Sequence, residues 1–260
     1  MAAPQPRSGR SRPGARRRWS SIERDLRRRG IELIAGVDEV GRGSLAGPVV
    51  ACAIVMPPGA STIRGVDDSK LLTPVERRRL CTRILDRALA VGIGAASVRE
   101  IDRLNIYYAS ALAMRRALEQ LAVIPQHTLI DGRPIRALAW PHTAVVDGDD
   151  RCYHIACASI VAKVTRDRLM ARLAERYPGF SWERNCGYAT PDHIASLAAD
   201  GATLHHRRSF VVKALSAPRE SPAPDDAART DAAPTGTPRA AGDRAERQAP
   251  ADSAPPQSIP

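Results

Sequence analysis

Residues 31–55 read IELIAGVDEVGRGSLAGPVVACAIV, and this stretch decides the fold. Residues 31–37 form an apolar run of strand length. Residues 41–47 are a glycine-rich turn, and 48–55 are a second apolar run. The pattern predicts a β-hairpin. The first strand delivers two adjacent acids, Asp38 and Glu39, at its end.

Downstream, Thr73-Pro74-Val75-Glu76 has the form of a helix start, with Thr as N-cap, Pro in the first turn and Glu at N3. Leu80, Ile84, Leu85, Ala88 and Leu89 then recur at helical spacing. A short strand is expected over 93–97. Ser97 and Glu100 make a second capping box, which opens a helix through residue 121 with Ile106, Leu112 and Leu118 on its buried side. Two short apolar strands follow, at 128–130 and 143–146. A long helix is expected over about 155–176, and a last one from Thr190-Pro191 to Gly201. Three strands, helices, two strands and helices predict an α/β chain with a mixed five-stranded sheet flanked by helices and a helical C-terminal part. No internal repeat is visible.

The ends differ from this middle. Residues 1–18 carry six Arg and no acid, and 217–260 carry five Arg against seven acids, so of the formal +11 the stretch 19–216 keeps +7. Both ends have too little apolar surface to offset the entropy of folding. They are expected to be a disordered basic arm (1–18) and a disordered Pro/Ala-rich tail (217–260) around one domain at 19–216. Hydrophobic residues make up 43% of the chain, enough for an ordinary core, yet no run approaches the ~20 apolar residues of a membrane helix. The first residues lack a signal-peptide apolar run, so a cytoplasmic monomer is expected. Cys52, Cys81, Cys152, Cys157 and Cys186 are odd in number and hold no CxxC, which reads as buried reduced thiols rather than a zinc site or disulfides. The basic balance suits a polyanionic partner.

The chemistry lies where apolar strands run into carboxylates: Asp38-Glu39, then Asp131-Gly132, then Asp147-Gly-Asp149-Asp150. Any one Asp-Gly is an ordinary turn. Three such endings in one sheet would bring acids together, and clustered carboxylates persist where a hard cation such as Mg²⁺ or Mn²⁺ neutralises them. Two such ions about 3.5–4 Å apart can activate water for phosphodiester hydrolysis. A basic surface with an acidic centre is what a nuclease needs.

Other candidates are weaker. Gly41, Arg42 and Gly43 form either a plain hairpin turn or a place where backbone approaches a sugar or phosphate. Their spacing does not make a dinucleotide fingerprint. The run His205-His206-Arg207-Arg208-Ser209 is either a solvated basic patch, its ordinary reading, or a phosphate contact. Lys163 and Arg166 are expected on the surface of the long helix. Tyr188 is equally suited to core packing or to stacking on a sugar or base. Trp19, Trp140 and Trp182 are too scattered for a stacking platform.

Five motifs, in order, resemble the type 2 ribonucleases H, specifically the ribonuclease HII family: VDEVGRG at 37–43, DSKLL at 68–72, LIDG at 129–132, ASIVAKVTRD at 158–167 and HRRSF at 206–210. The resemblance spans about residues 31–213. It implies a ribonuclease H-like fold and an endonuclease that cuts the RNA strand of RNA–DNA hybrids and nicks at ribonucleotides embedded in duplex DNA. Products would carry 5′-phosphate and 3′-hydroxyl ends. It implies Mg²⁺ or Mn²⁺ held by Asp38, Glu39, Asp131 and Asp149, with Asp147 and Asp150 the alternatives for the fourth acid. It implies substrate contacts from Gly41, Arg42 and Gly43 at the ribose 2′-hydroxyl and from Tyr188, and Lys163 and Arg207 are expected beside them. Ser44 and Cys186 stand where the family commonly has proline and lysine. The rival readings are a sister ribonuclease HIII, which usually carries a folded N-terminal domain, and a non-catalytic nucleic-acid-binding protein on the same fold. A replication clamp is a conceivable partner, but residues 217–260 lack aromatic anchors for one.

Overall fold

The computed structural model describes Trp19 and residues 21–216, and the expectations for 1–18 and 217–260 lie outside the described residues. In chain order the elements are α1 (Ser21–Arg28), β1 (Ile34–Val40), β2 (Val49–Val55), α2 (Pro74–Leu85), β3 (Ala90–Ala96), α3 (Val98–Glu119), β4 (His127–Asp131), β5 (Thr143–Val145), α4 (Gly148–Arg151), α5 (Tyr153–Arg176), α6 (Trp182–Asn185), α7 (Pro191–Asp200) and α8 (Arg208–Ser216).

The five strands form one sheet in the order β3-β2-β1-β4-β5. β1 pairs antiparallel with β2, and β2 antiparallel with β3. β1 and β4 run parallel, as do β4 and β5. The predicted hairpin and mixed sheet are therefore present. Alternate residues of each strand face opposite layers. Val37, Ala51, Ala53 and Ile130 pack under α3, with Met114 and Leu118. Cys52 and Ile54 pack under α5 and α2, with Ala158, Ile160 and Leu80. A third cluster joins Leu45 and Ala46, from the turn after β1, to Met170, Phe180, Trp182, Leu197 and Val211. The helical C-terminal part thus grips the glycine-rich turn.

Both expected capping boxes close: Thr73 with Glu76 begins α2, and Ser97 with Glu100 begins α3. β1 reaches Val40, so Asp38 and Glu39 lie within the strand and not beyond it. β3 begins at Ala90, earlier than expected. β5 stops at Val145, and Asp149 sits on the helical turn α4 rather than at a strand end. The helix expected through 121 is broken at Asn105, whose φ is +67°. Its side-chain oxygen accepts from Tyr107 N at 2.9 Å and restarts the helix.

Helix α1 is short, with three Arg among its eight residues, and its only apolar pair, Ile22 and Leu26, packs one turn apart into the cluster with Ile34, Leu129 and Ile155. It is held from outside: Glu23 accepts from the backbone N–H of His154 at 2.9 Å, and its Oε1 lies 2.6 Å from His154 Nδ1. Gly36 shows how closely α5 lies on β1. A Cβ there would fall 2.2 Å from the His154 carbonyl carbon, so only glycine admits the helix backbone. The five thiols are free, four of them buried and Cys186 partly so. No helix among the described residues is long and apolar enough to cross a membrane.

Candidate active site

One residue beyond the last paired positions of β1 and β4, Val37 and Ile130, stand Asp38 and Asp131. Parallel neighbours in register share a face, so both lie on the α5 side. Asp38 is 7% exposed, accepts the Glu39 backbone N–H at 2.8 Å and lies near the Ser159 hydroxyl of α5. Asp131 accepts the backbone N–H of Gly148 at 2.7 Å, and this bond carries α4 up to the end of β4. Asp149, the residue after that donor, is thereby brought in at 4% exposure, whereas Asp147 and Asp150 are exposed. Of the three alternatives for the fourth acid, only Asp149 is buried with the others.

Burial first, then the charges of Glu39, Asp131 and Asp149, push the Asp38 carboxyl well above the ordinary aspartate range. Burial also raises Glu39, against the pull of Arg42. Burial and then the Asp149 charge raise Asp131. This is the signature of carboxylates crowded without enough positive charge. Two cations answer part of it. Arg42 Nη1 is 3.0 Å from Glu39 Oε1, and Lys70 Nζ is 2.9 Å from Asp149 Oδ2. Among the described residues, no three His, Cys, Asp or Glu side chains close on one ion position as they stand. Two of the four acids lean on cations instead. The donor set itself is oxygen only, buried and in electrostatic excess, and so it fits a hard divalent cation.

The turn at 41–43 is built from the far side. Gly41 has φ +90°, and a Cβ there would meet the Arg166 guanidinium at 2.1 Å. At Gly43 nothing lies within 4 Å of an added Cβ. The fold requires glycine at 41, and no neighbour requires it at 43. Arg42 and Gly43 are exposed.

Two expectations are corrected here. Arg166, expected on the helix surface, is 0% exposed and donates to Pro48 O (2.9 Å), Cys186 O (2.8 Å), Ser44 Oγ (2.7 Å) and Ala46 O (3.0 Å). Arg207, expected as a substrate contact or part of a solvated run, is also 0% exposed. It donates to Gly41 O (2.7 Å), Arg42 O (2.9 Å) and Gly47 O (2.8 Å). Its forked donors are spent on carbonyls, so it braces the turn from beneath and does not reach a phosphate. Lys163 is bound to Asp167 at 2.6 Å, one helical turn along α5.

Tyr188 is 36% exposed, with the Arg166 guanidinium 5.7 Å from its ring centre. It sits on a stiff base. Leu45 N and Ala46 N donate to Gly187 O at 2.7 and 3.2 Å, tying it to the glycine turn. The Tyr188 carbonyl lies 2.8 Å from His193 Nδ1. His193 Nε2 takes the Trp182 indole N–H at 3.1 Å and faces His206 Nε2 at 3.0 Å, while His206 Nδ1 accepts from Thr203 N at 2.9 Å. This network assigns neutral rings, with the proton on Nδ1 of His193 and on Nε2 of His206. His206, expected in a solvated run, is buried at 2% exposure. Burial, then His193 and His205, hold it down to about 4. Lys70 and His193 are the groups that the sequence left without a role. Lys70 stood in a quoted motif, and its approach to Asp149 comes from a loop 79 residues away.

A mixed five-stranded sheet with carboxylates grouped at the ends of its two central parallel strands defines a nuclease of the ribonuclease H class. A ribonuclease H2 from Pyrococcus horikoshii OT3 has a similar structure, with TM-score 0.58 and 27% identity, covering 70% of this chain and 96% of that one. Bst-RNase HIII, solved in complex with Mn²⁺, shares the fold at TM-score 0.55 and 20% identity, over 71% of this chain and 69% of that one. The family model described as Ribonuclease HII matches residues 35–213. A Ribonuclease HII from Granulibacter bethesdensis is 53% identical over 189 residues, 71% of this chain and 86% of that protein. The chain belongs to the ribonuclease HII family. It is a ribonuclease H, an endonuclease acting on RNA paired with DNA, and enzymes of its family depend on divalent metal.

Proposed function

We propose that Asp38, Glu39, Asp131 and Asp149 together hold the divalent ions, Mg²⁺ or Mn²⁺, and that this site cuts at the ribonucleotide, leaving 5′-phosphate and 3′-hydroxyl ends. The observation that carries the reading is the Asp38 carboxyl, buried on β1 and raised by three neighbouring acids, since a cation at that point relieves both burial and repulsion. When bound, the ions supply charge for the scissile phosphate and acidity for the attacking water. The chain's own groups do the rest. The Glu39 and Gly148 N–H groups orient Asp38 and Asp131. The exposed Arg42-Gly43 edge of the turn meets the sugar, where a 2′-hydroxyl distinguishes RNA from DNA. The open space above Gly43 supports this. Tyr188, on its braced carbonyl, stacks against the neighbouring sugar or base. Lys163 adds attraction for the backbone.

Both substrate forms, hybrids and single embedded ribonucleotides, pass over the same turn, and one chain supplies every residue named, so a monomer suffices. Residues 1–18 would add sequence-blind phosphate attraction to the domain at 19–216. The test is cleavage mapping on a DNA duplex carrying one ribonucleotide, with Mg²⁺, with Mn²⁺ and with EDTA, for the parent and Asp38→Asn. Cutting at a phosphodiester that does not flank the ribonucleotide, or cutting at parental rate by the variant, would overturn the assignment. Cutting in EDTA would do the same.

A further inference from the structure

Lys70 is an unusual partner for a buried acid. Its side chain is 66% exposed while the Asp149 side chain it meets is 6% exposed. The ammonium therefore caps Asp149 from the solvent side, the side from which a polyanion must arrive. Its backbone cannot shift to follow. Ser69 is buried, and its hydroxyl accepts that of Ser159 on α5 at 2.8 Å. Arg77 Nη1 donates to Ser69 O at 2.8 Å and to Leu72 O at 2.7 Å, and Lys70 N–H donates to Asp68 Oδ1 at 2.9 Å. What remains free is the four-carbon stem. Nζ has two acid neighbours, Asp149 at 2.9 Å and Asp68 at 3.7 Å.

We propose that Lys70 is a charge stand-in: it neutralises Asp149 until a divalent ion takes that carboxylate, and the displaced ammonium then swings to a phosphate of the bound nucleic acid. This rests on the assignment of Asp149 to the metal set. The physical reason is competition. An ion that takes Asp149 Oδ2, or both its oxygens, competes with the 2.9 Å pair, so Lys70 weakens binding of metal alone. A phosphate alongside the site offers the ammonium a new partner and removes that penalty. Metal and nucleic acid then bind with positive coupling through one flexible side chain, and by linkage each raises affinity for the other.

The test uses the full chain and Mn²⁺ alone, titrated calorimetrically into the parent, Lys70→Met, Lys70→Gln and Asp38→Asn. The two Lys70 variants are expected to bind Mn²⁺ about two- to fivefold more tightly than the parent, the scale of one solvent-facing ion pair. In EDTA they melt below the parent, and Mn²⁺ closes that gap. A second readout is the salt dependence of binding to an all-DNA duplex, which offers phosphates and no cleavable ribonucleotide. Lys70→Met should lower the slope by about one with Mn²⁺ present and leave it unchanged in EDTA. Equal or weaker Mn²⁺ affinity in both Lys70 variants, with Asp38→Asn abolishing binding, refutes the stand-in while keeping the metal site. Parental Mn²⁺ binding by Asp38→Asn refutes the site itself, and the stand-in with it.

Discussion

Replacing Arg166 by Met tests whether the buried guanidinium, and not the turn sequence alone, shapes the substrate side of the site. The variant keeps the aliphatic bulk and removes four hydrogen bonds, to Ser44 Oγ and to the carbonyls of Ala46, Pro48 and Cys186. Bonds from a charged donor contribute about 1.5–3 kcal/mol each, which would total roughly 6–12 kcal/mol. All four acceptors are uncharged, so the desolvation of the guanidinium offsets several kcal/mol of this. A net loss of about 3–5 kcal/mol remains, close to that for breaking one side of a buried pair. For a domain of this size each kcal/mol lowers Tm by about 2–4 °C, so the expected fall is roughly 6–20 °C. The assay is a thermal melt in EDTA followed by hybrid cleavage at a temperature where both proteins stay folded. KM should rise more than kcat falls, since the carboxylates stand on other elements. Arg166→Lys, with one point charge and fewer donors, should lie between. A melt within about 2 °C of the parent would show that water or side-chain shifts replace the guanidinium at little cost, and the account of the turn would fail.

Asp38→Asn should abolish cleavage, retain hybrid binding and raise the melting temperature in EDTA, because it removes a buried charge among like charges. The raised Asp38 pKa gives a sign for pH: this group's stabilisation is complete below the ordinary aspartate range and is lost as pH rises through its folded value. Melts in EDTA should thus improve on mild acidification where those in Mn²⁺ do not, and identical profiles would contradict the reading. His206 works in the opposite sense. Its folded value near 4, against 6.5, means stability is held above 6.5 and lost as pH falls towards 4, on the order of 3 kcal/mol in all. His206→Gln should flatten that part of a pH–stability curve, and an unchanged curve would remove His206 as its source. Finally, Gly43→Ala should melt like the parent yet raise KM for hybrid several-fold. Gly41→Ala, at φ +90° and 2.1 Å from Arg166, should lose stability outright. Equal melting of the two would contradict the distinction drawn between these glycines.

The sheet and its acids were legible because they follow from strong local signals. Apolar runs gave the strands, and acids at their ends gave Asp38, Glu39 and Asp131. Two capping boxes gave the starts of α2 and α3. The choice among Asp147, Asp149 and Asp150 was not local. The burial that favours Asp149 comes from the Gly148 N–H bond to Asp131, a contact across 17 residues. Arg166 and Arg207 misled for a physical reason: a guanidinium reads as a surface group unless the carbonyls it will satisfy are known, and these lie between 20 and 166 residues away. Helix α1 escaped notice because its support is a buried glutamate meeting a histidine 131 residues on. The break at Asn105 hides inside a helical pattern, since Asn tolerates a positive φ without changing composition.

The bonds from Arg207 to Gly41, Arg42 and Gly47 also bear on how the molecule is made. They close the ring between the first strand's turn and the last helix of the domain, across as many as 166 residues. While the chain is being synthesised, the acids of β1 emerge early, but the turn beside them has no floor until residue 207 has appeared. Contacts so distant in sequence form late. A truncated product ending before Arg207 would carry the acids without the brace beneath the turn proposed to meet the sugar. On the roles proposed for them, the cutting groups are thus laid down first and the selectivity last.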